Sequence, residues 1–154
     1  MNEKEMLTTE KIILEYNKNC VLPIDIFSIV KNMGYNIIFY ENDISIFGEY
    51  NSKELTMKIN KRKSLREQKF ICAHMFAHMI NDKNNGIETK DTFGNDKVNN
   101  EIVANKIASE LLMPTLYINI MIEKKNITNP QELSKIFDVS YNAMIYRLQK
   151  LGYF

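Results

Sequence analysis

The stretch FICAHMFAHMI, Phe70–Ile80, decides how this chain is read. It holds both histidines of the sequence, His74 and His78, four residues apart in an apolar run. On a helix that spacing puts both rings on one face, one turn apart. Two neutral imidazoles so placed can chelate one zinc ion. The pair alone fits equally well with two helix histidines that have local partners. Cys72 lies two residues before His74, roughly on the far side of such a helix, and is not expected as a ligand.

Upstream, Ser64 followed by Glu67 is a capping-box pattern that starts a long helix over about Leu65–Asn81. Downstream, DKNNGIETKDTFGNDKVNN, Asp82–Asn100, is polar, contains Gly86 and Gly94, and is read as a long loop. A second helix is expected from about Asp96 to Met113, stopping before Pro114. It contains Glu101, which follows His78 by 101 − 78 = 23 residues. Two antiparallel helices could then face each other, with Glu101 as third ligand beside the histidines and one position left open, as hydrolytic zinc sites require. Asn105, four residues on, shares its face and could accept a hydrogen bond from a ligating histidine. The alternative for Glu101 is a solvated first-turn acid favoured by the helix dipole.

At 154 residues the chain matches about one ordinary domain, with enough apolar residues (45%) to bury a core without staples. A net charge of +1 gives no chain-wide attraction to nucleic acid or anionic lipid. Apolar runs are far short of a membrane span, the N-terminus has no secretion-signal pattern, and two cysteines, Cys20 and Cys72, fit reduced thiols in a cytoplasm. Thr8–Lys18 reads as a helix, and Pro23 is expected to open a second one that Gly34 closes. NIIFY, SIFGEY and LTMKIN switch to a period of two. The short gaps between them predict three neighbouring antiparallel strands. A short helix is expected over about Leu116–Glu123. Asn129-Pro130 and Ser140 mark the starts of two more, and Gly152 ends the last.

REQKFICAHMFAHMI followed by EIVANKIASELLMP resembles the ImmA/IrrE metallopeptidases. Their pattern reads roughly RFTLAHELGH, then E-x-x-A-N-x-F-A-x-x-L-L-M-P. Phe70, Ala73, His74 and His78 match the first block; Glu101, Ala104, Asn105, Ala108, Leu111, Leu112, Met113 and Pro114 match the second. Pro23–Ile26, the lone Gly48 before a strand, and the ending VSYNAMIYRLQKLG extend the likeness over nearly the whole chain. The resemblance implies an α+β, zincin-like fold with a small sheet and a helical bundle around the HxxxH helix. It implies zinc held by His74, His78 and Glu101, with Asn105 behind them. It also implies a helix-turn-helix repressor as substrate or partner, often in mobile elements or stress responses. The expected organisation is a zincin domain over 1–125 with a helical extension, 126–154, packed on it as one compact unit.

The sequence departs from that pattern at one position. In H-E-x-x-H the glutamate takes a proton from the attacking water and delivers one to the leaving amine. Here that position is Met75, and the usual glycine before the second histidine is Ala77. A thioether is at best a weak acceptor and carries no proton. The leading expectation is an impaired peptidase that binds its partner. The alternative is an active enzyme with a relocated carboxylate, for which Asp82, Glu88 and Asp91 are the candidates. A third reading takes the C-terminal helices as a DNA-binding helix-turn-helix. They offer Arg147 and Lys150 to phosphates, with Asn142, Tyr141 and Tyr146 as polar or stacking contacts. That basic charge is thin for independent DNA binding.

Overall fold

The computed structural model describes residues 3–85, 90–92 and 98–154, and within them the side chains of 9–81 and 99–154. The elements run α1 (Glu3–Tyr16), α2 (Ile26–Asn32), β1 (Asn36–Tyr40), β2 (Gly48–Asn51), β3 (Thr56–Asn60), α3 (Leu65–Asn85), β4 (Lys90–Thr92) and α4 (Val98–Leu112). Then come α5 (Thr115–Asn119), which continues into a π-helical turn at Ile120–Lys124, α6 (Pro130–Ile136) and α7 (Tyr141–Lys150). The architecture is α+β, a small sheet with a predominance of helices, as expected. The residues cluster into two compact units. One is Ile26–Ala108; the other combines the chain up to Asp25 with Ser109–Phe154, the division falling within α4.

The first unit is built on α3. Its start is the expected capping box. Ser64 Oγ accepts from the Glu67 backbone N–H (3.3 Å), while Glu67 Oε2 accepts from the Ser64 backbone N–H (2.9 Å) and from its hydroxyl (2.6 Å). From Ile71 to Ile80 every residue is buried. A helix apolar on all sides belongs in a core rather than on its surface, and the small residues Ala73 and Ala77 let neighbours approach. The Phe76 ring meets Tyr35 edge to face, centroids 5.0 Å apart.

The sheet departs from the expected antiparallel trio. It has four strands in the order β1-β3-β2-β4. The β2–β3 and β2–β4 pairs are antiparallel, but β1 lies parallel to β3, with Ile38 opposite Lys58. The short gap after β1 is not a hairpin because the chain crosses the end of β3 before entering β2. Buried Asn60, the last residue of β3, holds that crossing: its Nδ2 donates to the carbonyls of Asp43 and Ile46, each at 2.8 Å, and to that of Asn42 at 3.3 Å. A second correction concerns 82–100. This stretch reads from the sequence as a loop leading into the helix expected from about Asp96, yet α3 continues to Asn85 and Lys90–Thr92 pairs with β2. A third concerns Pro23, which follows a cis peptide bond and precedes α2 by three residues instead of opening it.

The second unit carries α1, α5 and the C-terminal pair. Asn129 caps α6, accepting from the Gln131 N–H at 2.8 Å with Pro130 as first helical residue; Ser140 caps α7 through Ala143 N–H. Leu133, Phe137, Met144 and Leu148 are among its buried side chains, and the Tyr117 hydroxyl donates to the carbonyl of Asn17 at 2.6 Å.

The cap of α3 yields a stability prediction. The Ser64 hydroxyl, followed by its backbone N–H, holds the Glu67 carboxyl below its ordinary value of 4.5. A depressed carboxylate stabilises the fold above its unfolded value, and that contribution is lost as pH falls through the lower folded value. Ser64→Ala is therefore expected to cost about 1 kcal/mol in denaturant unfolding at pH 7. The difference from wild type should shrink below the Glu67 titration; an equal difference at pH 7 and pH 2 would contradict it.

Candidate metal centre

Two helices bring the centre together. Within α3, His74 and His78 project from one face, 1% and 3% exposed. Within α4, Glu101 sits in the first turn, where the helix N-terminus favours a carboxylate, and its side chain is 20% exposed. The two Nε2 atoms are 3.1 Å apart. Glu101 Oε2 lies 3.2 Å from His74 Nε2, and Oε1 lies 3.3 Å from His78 Nε2. Among the described residues these three form the group of His, Cys, Asp or Glu side chains that could hold a metal ion. Cys72 is buried in the same helix, 3.7 Å from Met57 Sδ, and is not in the group.

The hydrogen bonding around the centre calls for a cation. His74 Nδ1 donates to Asn105 Oδ1 at 3.0 Å, since a carbonyl oxygen can only accept. A neutral His74 then turns the lone pair of Nε2 toward a carboxylate oxygen that also offers a lone pair. Two acceptors at 3.2 Å are stable only with a proton or a metal ion between them. Glu101 Oε1 points the same way: it is buried and has no hydrogen-bond donor among the described residues. The donor set, two imidazoles and a carboxylate, is one that zinc accepts, and bonds of about 2.0–2.1 Å at tetrahedral angles would place ligand atoms roughly 3.3 Å apart. The two histidine nitrogens lie at about that spacing from each other and each from one carboxylate oxygen, and with one ligand atom per residue the three lie within 4.8 Å of one another. The residues therefore fit zinc.

Met75 is fully buried, and its methyl carbon packs under β2. A Cβ built on Gly48 would come within 3.2 Å of that methyl, 3.2 Å of the Ile71 side chain and 2.6 Å of the Lys58 carbonyl oxygen. Gly48 is thus needed for β2 to lie this close to the β3 backbone, and its lack of a side chain also leaves room for the helix side chains. Two residues on, Tyr50 stacks on the His78 ring, with centroids 5.5 Å apart and planes 10° from parallel. Sequence reasoning passed over Tyr50. The signal was present, because a period of two from Gly48 puts Tyr50 on the same face of the strand. The side chains of Asp82, Glu88 and Asp91, the candidates for a relocated base, lie outside the described residues.

The family comparison agrees with this geometry. The family model described as Peptidase_M78, IrrE N-terminal-like domain, matches residues 39–149, and the chain belongs to that family. Its members are in general zinc-dependent. No curated protein sequence matches. Among solved structures, a Mycobacterium tuberculosis transcriptional regulator superposes with a TM-score of 0.70 at 14% identity, over 96% of this chain and 46% of that one. This chain therefore spans less than half the length of that neighbour. No described helix is long and apolar enough to cross a membrane.

The C-terminal pair has the helix-turn-helix outline, but one of its two strong phosphate contacts is committed elsewhere. Arg147 is buried. Its guanidinium pairs with Glu110 and donates to the Met113 carbonyl (3.1 Å) and to Thr115 Oγ1 (2.9 Å). Thr115 in turn donates to both Glu110 oxygens, from its backbone at 2.8 Å and its hydroxyl at 2.9 Å. Lys150 lies 5.2 Å from the exposed Tyr146 ring. Removing the guanidinium would leave a buried carboxylate without its counter-charge. Arg147→Ala should cost about 3–5 kcal/mol in chemical denaturation; a loss below 1 kcal/mol would mean the pair is solvated.

Proposed function

We propose that this chain is a zinc-holding member of its family whose peptide-cleaving chemistry is impaired, and that it regulates a helix-turn-helix repressor by binding it. The observation that carries the reading is the side chain after the first histidine. Where the peptidase pattern has a carboxylate, there is a buried methionine whose methyl contacts the Gly48 position.

His74, His78 and Glu101 would hold the metal, and Asn105 would keep the His74 ring turned so that Nε2 faces it. Zinc bound there would supply a Lewis acid for a peptide carbonyl and make water more acidic. This chain's own contribution falls short at the proton. Met75 can neither accept one from the attacking water nor return one to a leaving amine. Loss of a positioned base costs about 10²- to 10⁴-fold in rate, roughly 3–5 kcal/mol of barrier. The buried histidines and the apolar Met75 leave binding intact as the remaining use of the site. The regulatory context draws support from the structural neighbour, a transcriptional regulator of about twice this length.

The test uses the zinc-loaded chain and the repressor encoded beside it. A stable complex without cleavage is expected, and Met75→Glu should raise hydrolysis by about 10²-fold or more. Specific cleavage by the wild type, abolished in His78→Ala, would overturn the reading and favour a relocated carboxylate. A salt-dependent shift of duplex DNA by the chain alone would favour the C-terminal helices as the working surface.

A further inference from the structure

An imidazole ring turns easily about its last side-chain torsion, whose energy wells are broad. A chelate needs that torsion held, because the nitrogen must aim at one point. For His74 the hold is visible in the Asn105 hydrogen bond. The Phe70 ring beside it is tilted by 41° at 5.9 Å and does not lie flat on it. At His78 the contact is of another kind, the parallel ring of Tyr50.

We propose that Tyr50 is a positioning residue for the metal centre, its ring clamping the His78 imidazole in the plane that aims Nε2 at the point shared with His74 and Glu101. The proposal rests on the metal-centre reading above and adds a residue to it. Three observations carry it. The rings are nearly parallel and buried, with Tyr50 3% exposed, so water does not compete for the ring face. The backbone of Tyr50 is held on both sides, opposite Met57 of β3 and opposite Asp91 of β4. Finally, Gly48 on the same face lies against α3, since a Cβ there would come within 3.2 Å of the Ile71 and Met75 side chains. Strand residues 48 and 50 thus meet helix residues 75 and 78. The ring that orients the ligand and the glycine that admits the helix belong to one rigid segment.

The test compares Tyr50→Phe, which keeps a flat ring, with Tyr50→Leu, which keeps apolar bulk without one. Zinc affinity is measured by chelator competition, and ligand geometry by the visible spectrum of the Co²⁺ form. Tyr50→Phe should match wild type within about twofold, while Tyr50→Leu should bind zinc about five- to tenfold more weakly with altered Co²⁺ bands. Unchanged affinity and spectrum in Tyr50→Leu, even with lower apo-protein stability, would overturn the proposal. If Tyr50→Leu does not fold, the wild type decides by NMR. The Tyr50 ring signals, identified by their loss in Tyr50→Phe, should shift on zinc addition, and their constancy would overturn it. Failure of wild-type protein to bind either metal would instead refute the metal-centre reading, a result distinct from loss of the stack alone.

Discussion

The convergence of His74, His78 and Glu101 on one point of the buried face of α3 is the constraint on which the rest of the structure depends. Two imidazole nitrogens and a carboxylate are pressed together at just over 3 Å, away from water, with the donor hydrogen of one ring already given to an amide. Desolvated acceptors facing one another are costly, and a positive charge between them reverses the sign of every interaction. The surroundings serve this convergence. The helix is buried along ten consecutive residues, and the carboxylate comes from the first turn of a second helix, where the backbone dipole favours it.

Against that arrangement, the methionine is a change in chemistry rather than in architecture. Its side chain has a length close to that of glutamate and is fully buried, with its methyl near Gly48 of β2. Under the reading proposed above, two properties that usually travel together, holding a metal and moving a proton, would be separated. The three candidate ligands and the asparagine bonded to His74 converge, while Met75, where the family pattern has an acid, lies in the core.

The C-terminal helices carry a related lesson. Their outline and caps match a helix-turn-helix, but outline does not say where the charge points. Arg147 satisfies Glu110, Thr115 and a backbone carbonyl, so its work is to lock α7 against the α4–α5 corner of its own unit. Likewise the sheet obeys pairing partners more than spacing. A seven-residue link between β1 and β2 would suit a hairpin, yet the amide of Asn60 draws it across the end of β3 and makes β1 parallel to that strand.

The sequence alone determined the two helices of the centre, the capping box of α3, the candidate ligands and the methionine where the family pattern has an acid. Each is a property of residue type and local period: Ser64 with Glu67, two histidines four apart, Glu101 and Asn105 four apart, Met75 where an acid belongs. It could not determine that Lys90–Thr92 is a strand, that Tyr50 lies flat on His78, or that Arg147 is buried. A three-residue polar strand has no period of its own and exists only because β2 offers it an edge. Ring stacks and buried ion pairs join segments far apart in the chain, so they depend on where the fold delivers each partner, and no local pattern encodes that.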